Sequence, residues 1–158
     1  MFEGVIESED GFYIGDPCYV LNDKVYDVEW GKNNKFRDGE IQTSIGTFIV
    51  HETMYGGGEY RVKGTRDGYV SVDSGTIAVI PMSMVEDKDG LDYGVVVEAA
   101  RLRVIVDEDC DFDIRWDRGE FVHINTSGNG YDVFDSDEDR YEEYEDDEDY
   151  EAGESDEE

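Results

Sequence analysis

The sequence predicts a mainly β fold: a single compact antiparallel β-barrel or sandwich with at most one or two short helices, followed by a disordered acidic C-terminal tail. Three observations lead there. About eight or nine runs rich in β-branched and aromatic residues recur at roughly 8–12-residue spacing, divided by Gly, Asp and Ser turn clusters. Several of these runs alternate apolar and polar residues, as half-buried strands do. The last stretch, residues 133–158, carries 16 Asp and Glu against the single base Arg140 and has almost no aliphatics, so it has nothing with which to build a core.

The elements follow in order. Phe2 to Glu7 alternates and stops before Gly11. Phe12-Tyr13-Ile14 runs into the turn cluster Gly15-Asp16-Pro17, and Cys18 to Leu21 is a short apolar run compatible with strand or buried helix. Asn22 or Asp23 can cap a short helix to Lys32, with Val25, Val28, Tyr26 and Trp30 at helical spacing. Residues 31–39 read as loop. Ile41 to Tyr55 reads as one long strand with Gly46 as a bulge. Gly56-Gly57-Gly58 turns it back into Glu59 to Lys63, because glycine supplies the positive φ of a tight turn without strain. Arg66-Asp67-Gly68 and Asp73-Ser74-Gly75 bracket the strand Tyr69 to Val72, and Thr76 to Ile80 follows, ended by Pro81. Residues 82–90 suit one helical turn. Tyr93 to Val106 is strand with a bulge or turn near Ala99-Ala100, and Phe112 to Trp116 and Phe121 to Ile124 form a hairpin across Asp117-Arg118-Gly119. The sequence thus divides into a β-rich domain, 1–132, and the tail, 133–158.

Charge bounds the function. The chain has 13 Lys+Arg against 43 Asp+Glu, a formal net charge of −30. Half of that lies in the tail; the 27 acids and 12 bases of residues 1–132 leave the body acidic too. A nucleic-acid backbone is bound by exchanging its counterions for Lys and Arg, so this field argues against direct nucleic-acid binding and for a basic protein partner. Tyr141, Tyr144, Asp146, Asp147 and Tyr150, where tyrosines interleave with acids, are the candidate partner-binding residues. The beginning MFEGVIESED has neither the basic nor the apolar region of a secretory signal, and no apolar run nears the ~20 residues of a membrane span, so a cytoplasmic location without membrane contact is expected. Cys18 and Cys110 stand far apart with no CxxC pattern, consistent with two free thiols.

Specific chemistry is thin. The glycine triplet lacks the Lys-Ser/Thr and helix start of a phosphate loop, so no cofactor is expected. His51 and His123 with two scattered cysteines make no zinc pattern. Asp135, Asp137 and Asp139 copy the first ligands of an EF-hand, but Arg140 replaces its glycine and Asp146 its final glutamate, so no metal site is assigned. Ser74 is not set in a nucleophile elbow, and no catalytic residue is assigned.

Three segments, Tyr13-Ile14-Gly15-Asp16-Pro17-Cys18-Tyr19-Val20, Thr53-Met54-Tyr55-Gly56-Gly57-Gly58-Glu59-Tyr60 and Val72-Asp73-Ser74-Gly75-Thr76-Ile77, resemble in order a pattern of small β-rich proteins of bacteria and phages. Those sequences often carry Asp where this chain has Gly57. The resemblance covers roughly residues 12–80 and implies a β fold and candidate positions rather than an activity. Asp16, Tyr19, Tyr55, Asp73 and Ser74 are the resulting ligand-binding candidates, although Asp16 before Pro17 and Asp73-Ser74-Gly75 also have the composition of ordinary turns. The leading expectation is a non-catalytic acidic interaction protein, in a specific form a nucleic-acid mimic that blocks a basic host protein. A small-molecule binder or hydrolase built on the GDPCY and VDSG segments, and an oligomeric assembly component, are the alternatives.

Overall fold

In a computed structural model, which describes residues 1–65 and 68–127, the strand runs pair into two antiparallel sheets stacked as a sandwich. The strands are β1 (Phe2–Glu7), β2 (Phe12–Gly15), β3 (Gly39–Thr43), β4 (Gly46–Glu52), β5 (Gly58–Gly64), β6 (Gly68–Val72), β7 (Thr76–Pro81), β8 (Val95–Val97), β9 (Arg101–Val106), β10 (Phe112–Trp116) and β11 (Glu120–Ile124). One sheet has six strands in the order β1-β9-β10-β11-β5-β6; the other has five, in the order β3-β4-β7-β2-β8. The mainly β architecture expected from turn spacing is therefore present, as a sandwich. The boundary at 132, the tail from 133 and the partner-binding candidates Tyr141, Tyr144, Asp146, Asp147 and Tyr150 lie outside the described residues.

The two sheets read differently because they are buried differently. In the six-stranded sheet Leu102, Val104, Val106, Phe112, Ile114, Val122 and Ile124 point into the sandwich, and alternate residues of the same strands are wholly or partly exposed. The five-stranded sheet is covered on both faces. Its inner face contributes Ile14, Ile49, Ile77 and Val79 to the sandwich core, while Tyr13, Phe48, Val50, Ala78 and Ile80 face a second core on its far side. Strands buried on both faces have no polar side, which is why Phe12–Gly15 and Thr76–Pro81 are nearly continuous apolar runs.

The second core is closed by irregular helix. A 3-10 turn, Pro17–Tyr19, leads into the wide, π-type helix Lys24–Lys32, and further 3-10 turns occupy Met82–Met84 and Lys88–Tyr93. Trp30 is the anchor: it is 1% exposed, packs edge-on against Tyr26, Phe36 and Phe48, and its indole N–H donates to the Arg37 carbonyl at 2.9 Å. The short helix expected over 22–32 is thus present, begun by the Asn22 side chain accepting from the Val25 N–H at 2.8 Å. Its wider winding shifts side chains from the 3.6-residue spacing, so Val25 and Trp30 are buried while Val28 is exposed.

Two expectations are corrected. Ile41 to Tyr55 is not one strand: it folds at Ser44-Ile45 into a tight hairpin, with Thr43 opposite Gly46, so Gly46 opens a strand instead of bulging one. The turn is held from outside, because Glu29 on the helix accepts from the Ser44 N–H at 2.6 Å and from its hydroxyl at 2.7 Å. The helical turn expected over 82–90 is two separate 3-10 turns. The second extends to Tyr93 because Gly90 allows the chain to touch the Tyr19 carbonyl oxygen, where any Cβ would overlap it.

Candidate functional site

The three segments that are far apart in sequence meet at one end of the sandwich. The centre is Asp16, which follows β2 and is wholly buried. Its Oδ1 accepts from the Cys18 N–H and from the Ser74 hydroxyl, both at 2.8 Å, and its Oδ2 accepts from the backbone N–H groups of Asp73 and Ser74, both at 2.6 Å. Three of these bonds lie across a chain separation of more than 50 residues, so the carboxylate stitches the corner after β2 to the turn between β6 and β7. A carboxylate offers about four lone-pair directions. All are occupied here, which leaves none for a substrate proton or a metal.

The third segment joins the same turn. The Thr53 N–H donates to the Gly75 carbonyl at 2.9 Å, and the hydroxyls of Thr53 and Tyr60 converge on the Gly56 carbonyl at 2.7 and 2.8 Å. The glycines matter here for their backbone: Gly56 and Gly75 both have positive φ, 76° and 86°, a conformation that strains other residues.

Around this knot stands a ring of phenols and a thiol. Tyr19 stacks on Tyr93 with ring centroids 4.2 Å apart. Tyr26 reaches the Ser74 side chain, and Tyr13 donates its hydroxyl to the Asp16 carbonyl at 3.2 Å. Burial, reinforced by the Asp16 charge, pushes the Tyr13 phenol far above its ordinary value; Tyr26 is raised chiefly by burial, and Tyr19 is pushed up to about 12 for the same reason. The Cys18 thiol is raised chiefly by burial, and further by the Asp16 carboxylate beside it and the charge of Asp73. A nucleophilic cysteine needs a lowered value. Cys18 is instead held as a neutral thiol.

The five ligand-binding candidates therefore fall in one neighbourhood but do different things. Asp16 and Ser74 are internal fasteners. Asp73 contributes its N–H to the knot while its side chain is exposed. Tyr19 is half-buried beneath Tyr93, and Tyr55, 54% exposed, donates its hydroxyl to the Ser127 carbonyl at 3.1 Å on the neighbouring chain exit. Neither histidine takes part. His51 lies 3.6 Å from Asp38 and edge-on to Phe112, and His123 pairs across from Asp113 and Lys63. Among the described residues no group of three or more His, Cys, Asp or Glu is placed to hold a metal ion.

Sequence reasoning passed over Tyr26, Tyr93 and Thr126. The first two come from helical turns whose spacing does not reveal what they face. Thr126 is wholly buried: its N–H donates to Asp111 at 2.7 Å, its hydroxyl to the Cys110 carbonyl at 2.6 Å, and it accepts from the Met54 N–H at 3.2 Å. The stretch Asn125–Ser127 is thus a fastener between the loop after β9 and the loop after β4. No family model, no curated protein and no solved structure matches the chain.

Proposed function

We propose that this chain is a non-catalytic acidic protein that binds the basic surface of another protein, in its specific form by imitating the charge of a nucleic acid. The observation that carries the reading is where charge is left uncompensated. Among the described residues the carboxylate pairs with Lys or Arg are Glu3–Arg103, Glu7–Arg101 and Asp113–Arg115, all on the six-stranded sheet. Exposed acids elsewhere, such as Asp27, Asp73, Glu86, Asp87 and Asp92, have no described Lys or Arg nitrogen within 4.0 Å. Such a surface, continued by the acidic segment 133–158, attracts cations and repels polyanions. The saturated carboxylate of Asp16 and the neutral Cys18 thiol add support, because a catalytic site needs a free base or an activated nucleophile.

The test is capture from lysate on the immobilised full chain with a salt-step elution, repeated on a chain whose acids from Glu142 to Asp149 are changed to Gln and Asn. Basic nucleic-acid-binding proteins are expected on the native chain, released by moderate salt and weakened in the neutralised variant. Capture insensitive to both salt and neutralisation overturns the reading.

A second reading, a small-molecule site at the GDPCY and VDSG segments, is favoured by one arrangement: Asp73 and Tyr93 are exposed beside the half-buried Tyr19 and Cys18. Asp73→Asn removes the exposed charge while keeping the N–H that Asp16 uses. Loss of a ligand-induced thermal shift in that variant, at unchanged intrinsic stability, is the expected sign of this site; an unchanged shift removes it.

A further inference from the structure

The outer face of the six-stranded sheet departs from the charge of the rest of the molecule. Alternation along its strands sends five cations outward, Arg61, Lys63, Arg101, Arg103 and Arg115. Four carboxylates, Glu3, Glu7, Glu59 and Asp113, share the face, so it is slightly cationic in a chain of net charge −30. The compensation is lopsided. Arg103 and Arg115 each have a carboxylate oxygen at 2.6 Å and Arg101 one at 3.6 Å, all toward the β1 edge. Toward the β6 edge Arg61 and Lys63 have no carboxylate within 4.0 Å among the described residues. Arg61 instead donates to the Tyr69 hydroxyl at 3.1 Å and lies over that ring, and Lys63 stands opposite His123. Two large aromatics, Tyr69 and Phe121, are each more than 40% exposed on the same side. A groove of about 350 Å³ lies beside Arg61, Lys63 and Tyr69, and another of about 400 Å³ lies beside Arg115, Phe121 and His123, with Asp113 and Glu120 also in its lining.

The chain itself carries the complementary charge in its C-terminal sequence. β11, which holds Phe121 and His123, is the last strand among the described residues, and three residues beyond it Ser127 is pinned by Tyr55. The next residues are Gly128-Asn129-Gly130-Tyr131, and the acids begin at Asp132. Five residues span at most roughly 17 Å, so the first acids of the tail start within reach of Lys63 and His123.

We propose that the acidic C-terminal segment, residues 132–158, docks on the outer face of its own six-stranded sheet around Arg61 and Lys63, with its tyrosines against Tyr69 and Phe121. Single exposed charge pairs are weak, but a short tether holds the tail at a high effective concentration, and many weak pairs then act together. The proposal does not rest on the existence of a basic partner. If such a partner binds the tail, it does so in competition with this face.

The experiment is zero-length carbodiimide cross-linking of the full chain at low salt, as an equal mixture of ¹⁴N- and ¹⁵N-labelled protein, mapped by mass spectrometry. This chemistry joins an amine to a carboxylate in direct contact, and Lys24, Lys32, Lys35 and Lys88, on or beside the helical turns, serve as internal controls. The expected result is Lys63 joined to tail carboxylates within one isotopic copy, at roughly fivefold or more the yield of each control lysine, and lost at about 0.5 M salt as screening shortens. Equal yields at all lysines overturn the proposal, since the tail would then have no preferred seat. Links found only between differently labelled copies overturn it in favour of a second copy as occupant. Absence of Lys63–tail links together with protection of Lys63 by an added oligonucleotide overturns it in favour of an external polyanion.

Discussion

Asp16 decides more of the local structure than any other polar residue described. Asp16→Ala leaves the N–H groups of Cys18, Asp73 and Ser74 without their acceptor. An unsatisfied buried donor costs about 1–3 kcal/mol, so a loss of at least about 3 kcal/mol is expected in denaturant unfolding, with Asp16→Asn nearly as damaging because its amide nitrogen would face donors. A change below about 0.5 kcal/mol, the range of an ordinary surface substitution, would show that the knot is not structural. Cys18 offers an independent readout at the same place. Its raised thiol should react with a disulfide reagent at pH 8 far more slowly in the folded protein than in denaturant. Equal rates in the two states would mean that burial and Asp16 do not hold the proton. The sequence showed the residue types of this knot, and even their glycine and proline neighbours, but an Asp before Pro has the same signature whether it closes a local turn or reaches a distant one. Only the pairing of β2 with β7 puts Asp16 beside Ser74.

At the scale of elements, the five-stranded sheet depends on its cover. Trp30 fills the centre of the second core, and Trp30→Ala is expected to cost about 3–5 kcal/mol, as large-to-small changes at buried aromatics do. Gly90→Ala tests the other cover, since a methyl there would overlap the Tyr19 carbonyl and force the Lys88–Tyr93 turn away from the corner after β2. A clear drop in thermal midpoint is expected; an unchanged midpoint would mean that the turn packs loosely. Of these covering elements the helix Lys24–Lys32 was legible from its cap and spacing, but the 3-10 turns were not. Winding at about three residues per turn does not repeat at 3.6, so these turns leave no amphipathic stripe to read. The hairpin at Ser44-Ile45 was missed for a different reason: its turn lacks Asn-Gly or Asp-Gly, because Glu29 supplies the hydrogen bonds that turn residues usually make themselves.

Across the whole molecule, charge and buried phenols set the response to solution conditions. A net charge of −30 repels itself, so the thermal midpoint should rise between low salt and about 150 mM NaCl as screening shortens. A flat response would show that the charges are already compensated. Alkaline pH acts through the ring around Asp16. Burial raises Cys18, Tyr13, Tyr19 and Tyr26 in the folded state, so folding favours their neutral forms. Their contribution is complete below the unfolded values of 9.0 for the thiol and 10.0 for the phenols, and is lost as pH rises toward and beyond about 12, where Tyr19 ionises. Circular dichroism against pH should therefore show stability falling from about pH 9 upward. Constant stability to pH 12 would contradict the burial of this ring.

By itself the sequence determined the class of the fold and the character of the surface. Strand alternation and turn spacing are local properties that hydrophobic burial converts directly into sheets, and net charge is a sum that needs no geometry. Tertiary structure alone decided which sheet each strand joins, that one sheet is covered on both faces, and that Asp16, Thr53 and Ser74 meet at one corner. It also decided that the cations Arg61 and Lys63 share a face with Tyr69 and Phe121. Those are pairings between residues far apart in the chain, and their energy arises from contacts that exist only after the strands have found their partners.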